Sequence, residues 1–463
     1  MRYQIRLASL LLVLTTPTLL YGNDTISDYL FRDIRATQLQ QKNVELTHSI
    51  EAERIDESLA LGKLMVEIAE SDETIDKISF ARALSNYAVI QAMMGDRGVA
   101  VMQSDRAIEL IEAFDPFHPD LFNILMVRSY TENAEDLFTE AEDSLRRAQH
   151  IVHRQDGVYS RRQLPVIKAI AGVKMAQGAH LDADLEQRFN LKVSEKAYGQ
   201  ASEELMPTLN QLGNYFANRG ASIAFNAEQE ERMYRDRLFR EATRMFERSI
   251  SIIEDKYGDT DLRLVEPLKG LARAKFKRGT GLINAERPME RALSIVRGNP
   301  ATDKADHAKA LVDLADLYTL TSDSRAGDLY IEAWQLLSDD QAQEQLQYEL
   351  FARPKRLHPE VPIQPVLFRH PVGVEKGEEL FVDIRFDIRE DGRVRNAVIQ
   401  DGNVANSDRK QMRNFVAGMR YRPRVVEGEL AETEGMDLHQ NYLFKERIPE
   451  TKISISTGVG APN

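Results

Sequence analysis

The chain has 463 residues, 60 Lys plus Arg against 73 Asp plus Glu, a formal net charge of −13, and no cysteine. That composition excludes disulfides, thiol catalysis, thiolate metal sites and an N-terminal lipidated cysteine. It also argues against a nucleic-acid partner, which needs clustered Lys and Arg on its binding face.

Arg2 and Arg6 precede an apolar run, Leu7 to Leu20, that Pro17 interrupts, and Leu20-Tyr21-Gly22 leads into Asn23. This is the pattern of a cleaved signal peptide over residues 1–22, and the run is short of the ~20 residues that span a bilayer. Removing it deletes two Arg and moves the formal charge from −13 to −15. An exported chain without cysteine is expected in the periplasm of a Gram-negative bacterium. Retained, the same segment would be a membrane anchor. Residues 361–447 hold 14 basic and 15 acidic side chains, so the acidity lies in the part that precedes them.

Residues 23–78 read as N-terminal capping helices, with Ile55, Leu59, Leu64 and Ile68 spaced as one apolar face. Residues 79–351 carry a repeat. Small or medium residues recur at i, i+4 and i+7 in Ala100/Ser104/Ala107, Ala141/Leu145/Ala148, Ala183/Gln187/Asn190, Ala242/Phe246/Ser249, Ala285/Met289/Ala292 and Ala326/Tyr330/Ala333. Their first members lie 41, 42, 59, 43 and 41 residues apart. Such spacing is one helical face on which a neighbouring helix packs closely. A second apolar helix precedes each triad, and turn pairs separate the units: Asp115-Pro116, Asp156-Gly157, Tyr198-Gly199, Tyr257-Gly258 and Asn299-Pro300. With Leu314-Ala315-Asp316-Leu317-Tyr318 and Leu212-Gly213-Asn214-Tyr215 as its best local matches, this part resembles the tetratricopeptide repeat family. The resemblance implies a groove lined by polar residues of the first helices, here Asn86, Arg128, Lys168, Asn214, Lys275 and Asp316. The long interval holds an insertion at residues 218–237, which reads as a longer helix pair with a charged, solvated face or as a contact surface.

Residues 352–365 contain four prolines in fourteen and read as a semi-rigid linker. In residues 366–447, Leu380, Val382, Ile384, Phe386 and Ile388 alternate with polar neighbours as a strand with one buried face. Asp391-Gly392 then marks a hairpin into a second strand from Val394. Asn406-Ser407 suits a helix N-cap, with Met412, Phe415, Val416 and Met419 on one face of that helix. Met436, Leu438, Tyr442 and Phe444 alternate with Asp437, His439 and Asn441 as a third strand. Residues 448–463 read as a flexible tail. The expected fold is therefore mostly α: a TPR-like α-solenoid with a small C-terminal α+β domain of order strand–strand–helix–strand.

Several motifs of that domain carry a second resemblance. They are Pro365-Val366-Leu367-Phe368, the strand Val382 to Ile388, Asp391-Gly392-Arg393-Val394 with Asn396, Tyr421-Arg422-Pro423, Glu427-Gly428 and the last strand ending at Phe444. Together they resemble the C-terminal domain of the TonB energy-transducer family. The resemblance implies partner binding by strand addition at Asp437, Leu438, His439, Gln440, Asn441, Tyr442 and Leu443, flanked by Arg422 and Arg424, with an outer-membrane transporter segment as the partner. The chain lacks the long Pro/Lys-rich spacer of the transducers. The reading that follows is a periplasmic, non-enzymatic protein-binding adaptor, with a TonB-type transducer held by an uncleaved N-terminal helix as the alternative. No cofactor or metal is expected. His150 and His153 are spaced to share a metal, but no HExxH helix, phosphate loop or nucleophile elbow accompanies them. Asp401-Gly402-Asn403 opens like a calcium loop without its later acidic ligand.

Overall fold

The computed structural model describes residues 25–223, 228–279, 281–338, 341–358, 366–367, 371, 373–375 and 377–444. The expected signal peptide, the tail 448–463, residues 359–365 of the expected linker, and Pro365 and Phe368 of the flanking motif lie outside them. The chain divides into two compact units, one ending at Phe216 and the other beginning at Ala217.

In the first unit, α1 (Thr37–Glu51) and α2 (Ile55–Ser71) precede three hairpins. These are α3 (Lys77–Met94) with α4 (Arg97–Glu112), α5 (Leu121–Ala134) with α6 (Phe138–Asp156), and α7 (Leu164–Ala176) with α8 (His180–Tyr198). The helix α9 (Met206–Ser222) begins in this unit. Two or three residues join the helices of each hairpin, short enough to enforce antiparallel neighbours. Gly157 and Gly199, which end α6 and α8, both have positive φ, and each donates its N–H to the residue four back. The small triads face inward as their spacing demands, with Ala100, Ser104, Ala107, Ala141, Leu145, Ala148, Ala183 and Asn190 buried.

The apolar face expected on α2 is displaced. Leu64 is exposed, and the buried stripe is Ser58, Gly62, Met65, Val66 and Ala69. Close approach decides the face: a Cβ at Gly62 would lie 2.8 Å from Ile90 Cδ1 and 2.9 Å from Tyr87 Cδ2. Ser58 Oγ shares a hydrogen bond of 2.7 Å with Ser49. Small residues make the contact here, so the larger side chains sit at its margin.

The second unit holds α10 (Gln229–Tyr257), α11 (Val265–Arg278) with α12 (Leu282–Gly298), α13 (Lys304–Thr321) with α14 (Ala326–Ser338), and α15 (Glu344–Phe351). The insertion supplies the first two turns of the 29-residue α10, where Asp236 pairs with Arg278 at 2.6 Å. Strands follow: β1 (Lys355–His358), β2 (Val366–Leu367), β3 (Leu380–Ile388), β4 (Val394–Gly402), then α16 (Asn406–Ala417), β5 (Arg420–Arg422), β6 (Arg424–Val426), β7 (Glu429–Ala431) and β8 (Thr433–Phe444). The helix starts after Ala405, one residue earlier than its expected cap.

The main sheet has order β2-β8-β3-β4. Its apolar face, with Val382, Ile384, Phe386 and Ile388, is covered by Met412, Val416 and Met419. Two small ribbons stand apart from it: β1 pairs with β5, and β6 with β7. Part of the expected linker is thus a strand, because Lys355 to His358 find backbone partners in Arg420 to Arg422. The β6–β7 ribbon buries Val425 and half-buries Leu430 against Trp334, Leu337 and Phe351, in the core of the last helices. Burial of Val425 stabilises the seat by about 1.5–3 kcal/mol, and the half-buried Leu430 adds a smaller part.

Candidate functional site, the outer edge of β8

The sheet is bounded on one side by β4 and on the other by β8, which the two-residue β2 covers only at its end, and the two sides differ. On β4, two bulges break the pairing with β3. Asp383 faces Asp401 and Ile384 faces Ile399, so Gln400 is extra. Arg385 faces Val398 and Asp387 faces Arg395, so a second extra residue lies near Asn396, whose φ is 53°. Bulges twist an edge and spoil it as a template. On β8 the pairing with β3 runs unbroken from Tyr442 opposite Leu380 to Met436 opposite Phe386. The other side of β8 pairs, among the described residues, only at Leu443 and Phe444, with β2. A straight edge from Met436 to Tyr442 has no neighbouring strand among the described residues.

The side chains of β8 alternate as expected. Leu438 and Tyr442 turn to the core, and the Tyr442 hydroxyl donates to the Asp408 carbonyl of α16 at 3.4 Å. Burial pushes the Tyr442 phenol up to about 12. Asp437 and His439 stand on the open face, each opposite a β3 residue of complementary charge. Arg385 Nε donates to Asp437 at 2.8 Å and holds its carboxyl below the usual range. His439 Nδ1 lies 2.6 Å from Asp383 and its ring stacks on Phe381, with the hydrogen bond to Asp383 raising the imidazole pKa. These exposed pairs contribute little stability. Gln440 bonds the Asn441 carbonyl at 2.9 Å, and Leu443 is exposed beside β2. The partners Phe381 and Asp383 were not singled out in the sequence, although their polar-face register in β3 carries the signal.

The flanking arginines do not line this edge. Arg424 donates to the Glu432 carbonyl at 3.1 Å, across the turn of its own ribbon. Arg422 is 4% exposed, and its guanidinium grips Asp316 of α13 with bonds of 2.9 and 2.6 Å. Asp316 also accepts from the Tyr330 hydroxyl at 2.8 Å. Burial works against the Arg422 cation, but Asp316 outweighs it and raises its pKa. Two residues expected to bind partners are therefore bound to each other. A strand residue 106 positions away consumes the carboxylate that helical spacing alone leaves on an open face.

The other expected groove residues have surroundings of their own. Asn86 is fully buried; it donates to Asn43 and the Phe31 carbonyl at 2.9 Å and accepts from Phe31 N–H at 2.7 Å. It is an internal strut rather than a groove residue, because its amide satisfies backbone that no helix or sheet serves. Lys168 is half-buried on α7, Asn214 is exposed on α9, and Lys275 lies 3.5 Å from Glu247. Arg128 pairs with Asp105 at 3.0 Å and Glu132 at 3.2 Å.

Burial raises the pKa of Glu132, whose carboxylate also accepts from Ser144 at 2.8 Å. A carboxyl raised in the folded state favours folding below its unfolded pKa and loses that contribution as pH rises through the folded value. Glu132→Gln keeps an acceptor for Ser144, and Arg128 keeps Asp105. The variant should melt higher than the parent at pH 7, by about 2–4 °C. Thermal melts should converge as the pH falls towards 4; a variant that melts lower at pH 7 would show that the Arg128 pair dominates.

His150 and His153 have separate neighbours, Phe117 and Gln163. Among the described residues no group of three or more His, Asp or Glu is placed to hold a metal ion, and no helix is long and apolar enough to cross a membrane.

No family model and no curated protein matches the chain. Similar solved structures are helical repeat proteins. A kinesin light chain of Podosopora anserina with nearly identical TPR-like repeats is 14% identical, with a TM-score of 0.37 over 48% of this chain and 96% of that one. A Rap protein complexed with competence and sporulation factor is 15% identical, with a TM-score of 0.34 over 68% and 81%. The apo quorum sensor NprR of B. thuringiensis is 12% identical, with a TM-score of 0.33 over 64% and 87%. At these scores the likeness carries no functional weight. The chain is mostly helical, built of successive helical hairpins with a small C-terminal strand-rich region.

Proposed function

We propose that the chain is a non-enzymatic, protein-binding adaptor that captures an extended segment of a partner along β8, between Asp437 and Tyr442, with Leu443 already taken by β2, while its helical hairpins hold a second protein. The observation that carries this reading is the contrast between the edges: β4 is bulged twice, whereas β8 is unbroken from Met436 to Tyr442. Unpaired backbone donors and acceptors on a straight edge supply the affinity for an added strand. Asp437 and His439, alternating on the open face, would then read the partner's side chains. The periplasmic address rests on the pattern of residues 1–22, and the transporter segment as partner rests on the motifs around Asp391 and Tyr421. The N-terminal residue of the exported protein, Asn23 in this reading, tests the address.

Strand capture is tested in living cells with a photo-crosslinking side chain at Asp437 on β8 and, as the control, at Val398 on β4. Both positions are exposed. Adducts are expected from position 437 and not from 398. No adduct from 437, or equal adducts from both, would remove β8 as the capturing edge.

A further inference from the structure

We infer that a second site, a cleft between α12 and α14, binds a basic peptide segment that carries a large apolar side chain. The cleft is independent of strand capture and shares no residue with β8. It has a volume of about 480 Å³ and lies over α13, between the second helices of two successive hairpins. Leu293 and Leu314, each 4% exposed, form its floor with half-buried Leu329. Leu314 and Tyr318 are one turn apart, whereas Asp316, between them in sequence, points round the helix to Arg422. The cleft is therefore on the other side of α13 from the strands, away from the residues expected to line a groove.

The charges around it choose the ligand. Its two arginines are already held. Arg297 bonds Glu332 at 2.6 and 2.7 Å. Arg325 pairs with Asp323 and Glu286 at 2.7 Å, and its guanidinium lies 4.1 Å from the centre of the Tyr318 ring. The Tyr318 hydroxyl donates to Glu286 at 2.8 Å and Glu290 at 3.2 Å. The lining carries Glu290 and Asp328 against Arg297 and Arg325, and the two guanidiniums are neutralised by Glu332, Asp323 and Glu286 behind it, so the charge left to face the cleft is acidic. Asp328 is exposed, and among the described residues no ion pair holds it. An apolar floor under an acidic rim repels acidic and purely polar segments and suits an apolar anchor flanked by Lys or Arg.

The test uses the full chain and two peptides that carry fluorescein on the N-terminal amine through a neutral spacer, Lys-Leu-Lys-Leu-amide and its Glu-for-Lys twin, followed by fluorescence polarisation at about 50 mM salt, where screening is modest. The basic peptide should bind at least about tenfold more tightly than the acidic one. Asp328→Lys, at an exposed position, should weaken the basic peptide about tenfold. Leu329→Asp should abolish its binding; if that variant melts early, Asp328→Lys alone decides. A proline at His439 should leave this binding unchanged, which separates the cleft from the β8 edge. Equal affinity for the two peptides, or an unchanged affinity in Asp328→Lys, would overturn the assignment.

Discussion

Replacing Arg422 by alanine should destabilise the C-terminal strands by about 3–5 kcal/mol, the usual effect of stranding one partner of a buried ion pair. Asp316 would keep its charge, its bond from Tyr330 and little else. Arg422→Lys should recover only part of the loss, because a lysine cannot make the paired bonds of 2.9 and 2.6 Å. The double variant Arg422→Met, Asp316→Leu should return to within about 1–2 kcal/mol of the parent, since a matched apolar pair removes both desolvation penalties. The chain supplies its own probe. Its only tryptophan, Trp334, lies under the β6–β7 turn, where a Cβ on Gly428 would be 3.4 Å from the ring. Urea titrations followed by Trp334 emission therefore report the seat directly. A shift below about 1 kcal/mol in Arg422→Ala would mean that the ribbon's apolar contacts hold the strands unaided.

Gly392→Ala should have an effect of similar size. Gly392 has φ of 77°, a region that disfavours a Cβ by roughly 1–2 kcal/mol. Its carbonyl accepts from Tyr421 N–H at 2.9 Å, and an added Cβ would collide with the Tyr421 carbonyl oxygen and come within 2.9 Å of Thr319 Cγ2. Backbone cannot move aside as a side chain can, and overpacking adds about 1–3 kcal/mol. We expect a total of about 2–5 kcal/mol, again read from Trp334 in urea. Gly373→Ala, at φ of 88° with open space around it, should show only the conformational part. Equal losses at the two glycines would show that crowding at Gly392 is relieved elsewhere.

The parts of this fold that were legible in the sequence are those with long periodicity. The triads beginning at Ala100, Ala141, Ala242, Ala285 and Ala326 mark helices that are buried on that face, because one side chain in three or four decides a helix face over several turns. The nine residues of β3 alternate without exception. Short elements were not legible: β5, β6 and β7 have three residues each, too few for a period, and their pairing depends on neighbours far along the chain. The site was half legible. The strand from Asp437 to Leu443 follows from alternation, but bulges on β4 depend on a register that no local pattern encodes. Arg422 and Asp316 look like surface charges in sequence, and only their meeting across 106 residues turns them inward.

The central claim, that β8 captures a strand through its backbone, is tested most directly by adding single prolines at His439 and Gln440 to the chain that carries the crosslinker at position 437. Successive residues of a strand direct their N–H groups to opposite sides, so one of this adjacent pair points to β3 and the other outward. The proline that removes the outward N–H should leave the melting temperature close to that of the parent and abolish the adduct. The proline that removes the inward N–H should lower the melting temperature by breaking the β3 ladder. Undiminished adduct from both variants, with the chain still folded, would contradict capture at this edge.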